Sequence, residues 1–199
     1  MSSAASRANK DSRQTRETDI KWSLEIDGQG NADIDTGVPF MDHMLTLFTV
    51  HGFFNLSVTA KGDIEVDDHH TVEDLGICLG QAVKNSLGDF SAIKRYGNSA
   101  VPMDETLVRT TCDFSNRPYL HYGADIKDQK VGRFDTALVQ EFLRALSLHG
   151  GLTLHVEVAH GENTHHILEA IFKSLGRTLD MASSKEPRVD GPLSSKGSL

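Results

Sequence analysis

The apolar positions of the chain follow two periods, and each arrangement occurs twice. From Pro39, a residue suited to the first turn of a helix, Phe40, Met44, Leu47 and Phe48 form an apolar stripe that ends at His51-Gly52. Val139, Phe142, Leu143 and Leu146 repeat the stripe and end at His149-Gly150. Alternation follows in both places, with Phe54, Leu56 and Val58 in one copy and Leu154, Val156 and Val158 in the other, which is the period of a half-buried strand. Each run reaches a turn, Lys61-Gly62-Asp63 or Gly161-Glu162-Asn163, after which a returning strand is expected. Both copies then open a helix on one kind of pentapeptide. His69-His70-Thr71-Val72-Glu73 leads a helix with Leu75, Leu79 and Val83 inward, and His165-His166-Ile167-Leu168-Glu169 leads one with Ile171, Phe172, Leu175 and Leu179 inward.

Strand patterns also precede each copy. Ile20, Trp22, Leu24 and Ile26 followed by Ala32 and Ile34 predict a hairpin about Asp27-Gly28. Leu107 to Phe114 followed by Tyr119 to Ile126 predicts another about Ser115-Asn116. The expected fold is therefore α+β, two duplicated units whose helices pack between two β-sheets, because each sheet has an apolar face that needs cover. The expected division is a flexible arm over 1–12, a first repeat over 13–98, a second over 99–182 and a polar tail over 183–199.

Composition narrows the class. With 38% hydrophobic and 24% charged residues, 199 residues suffice for a packed soluble core without disulfide staples. The first twenty residues have no apolar stretch that could act as a signal peptide, and no later run reaches the length of a membrane span. Cys78 and Cys112 sit in apolar patterns without metal spacing, as small core residues of a reducing compartment do, and a cytoplasmic or plastid-like location is expected. A formal charge of -8 argues against a nucleic-acid binder and leaves room for a small anionic ligand held by a local cluster of bases.

The chemistry lies in the ten histidines. Neighbouring residues on a helix point about 100° apart, so His69 and His70 do not grip one ion, whereas Glu73 lies within reach of either. One such helix tends to serve two metals, and the helix with His165, His166 and Glu169 does the same. A single His-His pair is explained well enough as a solvated helix start; its recurrence at matching positions, each time followed by Glu, favours metal. Imidazole and carboxylate without thiolate suit manganese, iron or zinc. Asp67 and Asp68 are expected to cap the helix and orient the imidazoles. His43, on the polar edge of its helix, and Glu141, at the matching place in the second copy, are both ligand types. His51 and His149 precede glycines at helix ends and are expected to be capping histidines.

Motifs along nearly the whole chain resemble the imidazoleglycerol-phosphate dehydratase family. They are Arg13 to Thr18, Phe40 to Met44, Asp67 to Asp74, Lys94 to Gly97, Pro102 to Glu105, Arg117 to Tyr119, Gly161 to His166 and Ser194 to Gly197. The resemblance implies two manganese ions per subunit, with His43, His69, His70, Glu73, His165, His166 and Glu169 as ligands. Glu141 stands where many members carry His, which leaves the eighth ligand open. It also implies a phosphate cage of Arg95, Arg117, Lys173, Ser194, Ser195 and Lys196, Glu17 as proton carrier, and a 24-subunit assembly with sites completed across subunit boundaries. The implied substrate is a small phosphorylated imidazole, with no nucleic acid or membrane partner. The implied reaction is dehydration through a metal-stabilised imidazolate. Two rivals remain at this point: a di-metal oxidase or hydrolase, whose sites lean on Glu-x-x-His from long helices, and a non-catalytic metal-binding assembly protein.

Overall fold

The computed structural model describes residues 6–199. The first half runs β1 (Ala8–Gln14), β2 (Thr18–Glu25), β3 (Ala32–Asp35), α1 (Pro39–His51), β4 (Asn55–Gly62) and α2 (His69–Leu87). The second runs β5 (Tyr96–Met103), β6 (Thr106–Asp113), β7 (Tyr119–Gly123), the short pair β8 (Lys130–Val131) and β9 (Phe134–Asp135), α3 (Leu138–Gly150), β10 (Thr153–His160) and α4 (Thr164–Ser183). The two 4-stranded sheets have the same plan, β1-β2-β4-β3 and β5-β6-β10-β7. Antiparallel pairing gives way in each to one parallel edge strand, β3 on β4 and β7 on β10.

The α+β duplication with helices between two sheets is therefore what the chain forms, and several of its details differ from expectation. The predicted hairpins do not exist: β4 lies between β2 and β3, and β10 between β6 and β7, so the strands that looked like partners flank a later one. Nor does a second strand precede α2 or α4. Ile64 and Val66, exposed by 46% and 69%, ride on a turn with no partner strand to cover them. The arm assigned to 1–12 shortens, because Ala8 to Ser12 are part of β1 and pair with β2 from Glu25 back to Lys21. β1 is an edge strand with mostly exposed side chains, so its backbone pairs while its sequence shows no apolar alternation. Residues 1–5 of that arm lie outside the described residues. The second repeat starts earlier than 99, since Tyr96, Gly97 and Asn98 already pair with Asp113, Cys112 and Thr111. The tail is docked as well, through bridges of Ile93 with Lys185 and Ser91 with Pro192.

Each sheet packs its own two helices, and the halves meet helix to helix, α2 against α3 and α1 against α4. Both crossings are made by glycines. At Gly80 a Cβ would stand 2.8 Å from Leu146 O and 2.9 Å from Gly150 N; at Gly176 it would strike Phe48 O and stand 3.0 Å from Gly52 N. These are equivalent positions, since Gly80 and Gly176 follow His70 and His166 at the same spacing and Phe48-Gly52 matches Leu146-Gly150. The helix pairs thus exchange partners between repeats under an approximate twofold relation. Phe48, Phe54, Phe142 and Phe172 are fully enclosed between the layers. Cys78 and Cys112 are buried and free, and burial pushes both thiols up to about 12. Among the described residues no helix is long and apolar enough to cross a membrane.

Gly176→Val should lower stability by about 1–3 kcal/mol, because overpacking at the crossing exceeds the helix-propensity gain of roughly 0.3–0.5 kcal/mol. At about 2–4 °C per kcal/mol for a chain of this size, calorimetry should show the unfolding midpoint fall by several degrees. An unchanged or raised midpoint would contradict the close crossing.

Candidate functional site

The exchange of helices between repeats brings the N-terminal part of α1 against the start of α4. Asn163 caps α4 by accepting hydrogen bonds from the backbone N–H groups of His165 and His166. One turn on, Glu169 Oε1 receives His43 Nε2 at 2.9 Å and His165 Nε2 at 3.2 Å. Among the described residues these three form the single group of at least three potential ligands whose donor atoms all lie within 4.8 Å of one another. Phe40 closes one side, its ring edge-on to His165 at 5.5 Å. Glu169 is 9% exposed, and Lys173 Nζ donates to its other oxygen at 2.7 Å. Burial by itself would raise this carboxyl, but the Lys173 ammonium and the two imidazoles outweigh it and hold the pKa at about 2.

The twofold-related positions are His69 and Glu73 on α2 and Glu141 on α3. His69 Nε2 lies 3.8 Å from Glu73 Oε2, while the Glu141 carboxylate accepts from Arg144 at 2.7 Å. These groups do not converge as the first set does, because a guanidinium one helical turn away competes for the carboxylate that stands in the place of His43.

His70 and His166 turn away from their helical neighbours, as the 100° rule requires. Each has Nδ1 held by an acid from a preceding loop: Asp63 at 3.1 Å for His70 and Glu105 at 2.8 Å for His166. The hydrogen bonds to these carboxylates raise the pKa of both imidazoles, and the bond to His166, with backbone N–H groups of Asn163 and Glu162, lowers that of Glu105. With Nδ1 occupied, Nε2 is the free ring atom in each. The orienting acids are thus Asp63 and Glu105 and not the expected Asp67 and Asp68. Asp67 accepts from the His69 N–H, whereas Asp68 makes no side-chain cap and burial raises its pKa. Asp63 lies in the turn before α2 and Glu105 between β5 and β6, so only the duplicated turn in the first case and a family motif in the second marked them. Glu17 Oε1 stands 3.9 Å from His70 Nε2, at the same end of the molecule. Burial lowers the pKa of His51 and of His149, which works against the charged form that a helix-end dipole would favour.

The bases expected to hold phosphate are separated. Arg95, 7% exposed and at φ 70°, grips Asp113 with Nε at 2.6 Å and Nη2 at 2.9 Å and reaches Leu193 O with Nη1. It borders an open cleft of ≈ 610 Å³ together with Tyr96, Arg188, Ser194 and Ser195, so the tail does bring its two serines to this arginine. Lys196 is exposed beyond the cleft. Arg117 is exposed on the loop after β6, and Lys173 belongs to the Glu169 centre. One chain therefore gathers a group of potential metal ligands and a separate cleft lined by Arg95 and two serines, without joining them.

Known proteins share this fold and much of this sequence. The profile of the family described as imidazoleglycerol-phosphate dehydratase matches residues 36–179. The chain is 61% identical over 187 residues to the imidazoleglycerol-phosphate dehydratase of Bacillus velezensis and 58% identical over 187 residues to that of Bacillus subtilis, covering in both 94% of this chain and 96% of the relative. Its fold superposes on the crystal structure of the Staphylococcus aureus enzyme with a TM-score of 0.81 at 43% identity, covering 89% of this chain and 99% of that one. The Pyrococcus furiosus enzyme in complex with (S)-C348 gives 0.83 at 36% identity, covering 95% and 100%. With the profile spanning both His-His-x-x-Glu helices and relatives matched almost end to end, the chain belongs to the imidazoleglycerol-phosphate dehydratase family.

Proposed function

We propose that this chain is a hydro-lyase of histidine biosynthesis that dehydrates D-erythro-imidazoleglycerol phosphate to imidazoleacetol phosphate, using two manganese ions per subunit at sites completed across a 24-subunit assembly. The observation that carries the proposal is the convergence of His43 from one repeat with His165 and Glu169 from the other, in a member of this family. Two imidazoles and one carboxylate, with no thiolate, fit manganese, iron or zinc by donor chemistry. In the same scheme His69, Glu73 and Glu141 hold the second ion, Glu141 after release from Arg144. His70 and His166 would present their free Nε2 atoms to ions of neighbouring subunits, since each points away from the ligands of its own chain.

Bound there, the ions would stabilise the deprotonated imidazole ring of the substrate, as a metal lowers the pKa of water from about 16 to about 7. The chain's own residues supply the rest. Glu17, beside His70, shuttles the protons: it takes the carbon-bound proton and gives a proton to the neighbouring hydroxyl, which leaves as water. The remaining N–H groups of Arg95 and the hydroxyls of Ser194 and Ser195 face the phosphate in the cleft, with Lys196 folding over it. Arg117 and Lys173 lie away from that cleft and would reach the same phosphate from another subunit. A storage or scaffold protein would have no use for an anion cleft that neighbouring subunits bring to its metal centre.

Chelator-stripped protein should lose dehydration of imidazoleglycerol phosphate and regain it with manganese; full turnover by metal-free protein refutes the scheme, and metal binding without turnover favours the scaffold reading.

Glu73→Gln and Glu169→Gln should each lose metal and activity, because a carboxylate offsets cationic charge that an amide cannot. They should differ in stability. Glu169→Gln also leaves Lys173 unpaired in a buried site and costs on the order of 3 kcal/mol, whereas Glu73, half exposed, should cost little. Metal analysis and calorimetry of the two variants check this, and full metal retention in both defeats the ligand assignment.

Removal of residues 194–199 should raise KM by a factor of at least about ten, and by several hundred or more if two phosphate contacts are lost, with metal content unchanged, since charge-assisted hydrogen bonds contribute roughly 1.5–3 kcal/mol each. An unchanged KM would take the tail out of the phosphate site.

A further inference from the structure

The second sheet carries another pair of imidazoles, on its outer face and apart from the helical centre. β7 and β10 run parallel with His121 opposite His155 and Gly123 opposite Glu157. Alternation along β10 sends Leu154 and Val156 into the core and leaves His155 and Glu157 exposed, beside exposed His121. The His121 and His155 rings lie 5.4 Å apart at 32°, and the Tyr119 ring flanks His155 at 5.8 Å. Gly123 gives this face its shape: a Cβ there would stand 3.1 Å from His121 Nε2 and 3.6 Å from Glu157 Cγ. The missing side chain is what lets the His121 ring nitrogen and the Glu157 side chain approach the same spot.

None of these groups has another employment among the described residues. Neither imidazole makes a hydrogen bond or an ion pair, and Glu157 pairs with no base, although Arg109 lies opposite it in the sheet. Neighbouring strands of a sheet lie about 4.7–4.9 Å apart, a span two imidazoles can close on one ion by rotating about χ1 and χ2. Ring stacking accounts for the contact of His155 with Tyr119 and leaves the ring nitrogens of both histidines unused. Two imidazoles and one carboxylate, the donor set of the helical group as well, suit zinc or another divalent transition ion better than magnesium or calcium.

We propose that His121 and His155, with Glu157 as third donor, form a second and independent binding site for a divalent transition ion, zinc being the probe of choice, on the outer face of the second sheet. The site bridges β7, a five-residue edge strand bonded on one side only, to β10 inside the sheet. Occupation therefore fastens the edge strand. Nothing in this inference depends on what the helical histidines bind.

The test is equilibrium dialysis of the intact, manganese-saturated protein against micromolar zinc, with both metals counted. The parent should take up about one more zinc per chain than His121→Asn/His155→Asn, with manganese and turnover the same in both. Glu157→Gln should weaken that extra zinc by roughly tenfold, and so should Gly123→Ala, which removes no ligand but displaces the His121 ring. Zinc should also slow amide exchange of Tyr119 to Gly123 in the parent alone. Equal zinc counts in the parent and the double variant overturn the proposal. If the double variant does not fold, undiminished zinc affinity in both Glu157→Gln and Gly123→Ala overturns it instead.

Discussion

Everything in this molecule hangs on two helix crossings at which a side chain would not fit. At Gly80 and Gly176 the backbone of the last helix of one repeat meets a carbonyl and an amide of the first helix of the other. Backbones at that distance give up the layer of side chains that normally separates packed helices, and in return the four helices interlock between the sheets. Neither repeat can then close its core alone, since α1 is covered by α4 and α2 by α3. The duplication has produced one body whose halves complete each other.

The candidate metal centre is a direct product of that exchange. His43 belongs to the first repeat and His165 and Glu169 to the second, and they meet because α1 lies on α4. The same relation should place Glu141 with His69 and Glu73, and the asymmetry between the two sets has a local cause. His43 donates to Glu169, whereas Glu141 is an acid facing an acid and turns to Arg144 instead. The two imidazoles that point elsewhere, His70 and His166, are each fixed through Nδ1 by a carboxylate, so what they would bind is decided by Nε2.

Charges near the core follow one rule throughout: each is held by an opposite charge before any ligand arrives. Glu169 is kept ionised by Lys173, Arg95 is clasped by Asp113, and Asp74 inside α2 is met by Arg13 and Thr18. An unpaired buried charge would cost several kcal/mol, so these pairs serve the fold as well as the site. They also explain why the basic residues assigned to one phosphate are apart in a single chain. Lys173 is bound to Glu169 and Arg95 to the junction of sheet and tail.

The sequence by itself determined the periodic elements and their duplication, because burial of Phe48, Phe142, Leu79 and Leu175 is written as helical spacing and that of Val58 and Val156 as alternation. It also displayed the candidate ligand types, since two His-His-x-x-Glu helices are visible without any coordinates, and its motifs pointed to the family. Strand order was beyond it. β3 and β7 join their sheets at the far edge, next to a strand that comes later in the chain, and local pattern carries no record of which strand pairs with which. β1 went unseen because an exposed edge strand is held by backbone hydrogen bonds that leave no mark on side-chain polarity. Asp63 and Glu105, the acids that aim His70 and His166, come from loops seven and sixty-one residues away. Only the tertiary structure could decide such partners, because what selects them is distance in space after the helices have crossed, and a carboxylate in a polar loop looks the same in sequence whether or not an imidazole will stand beside it.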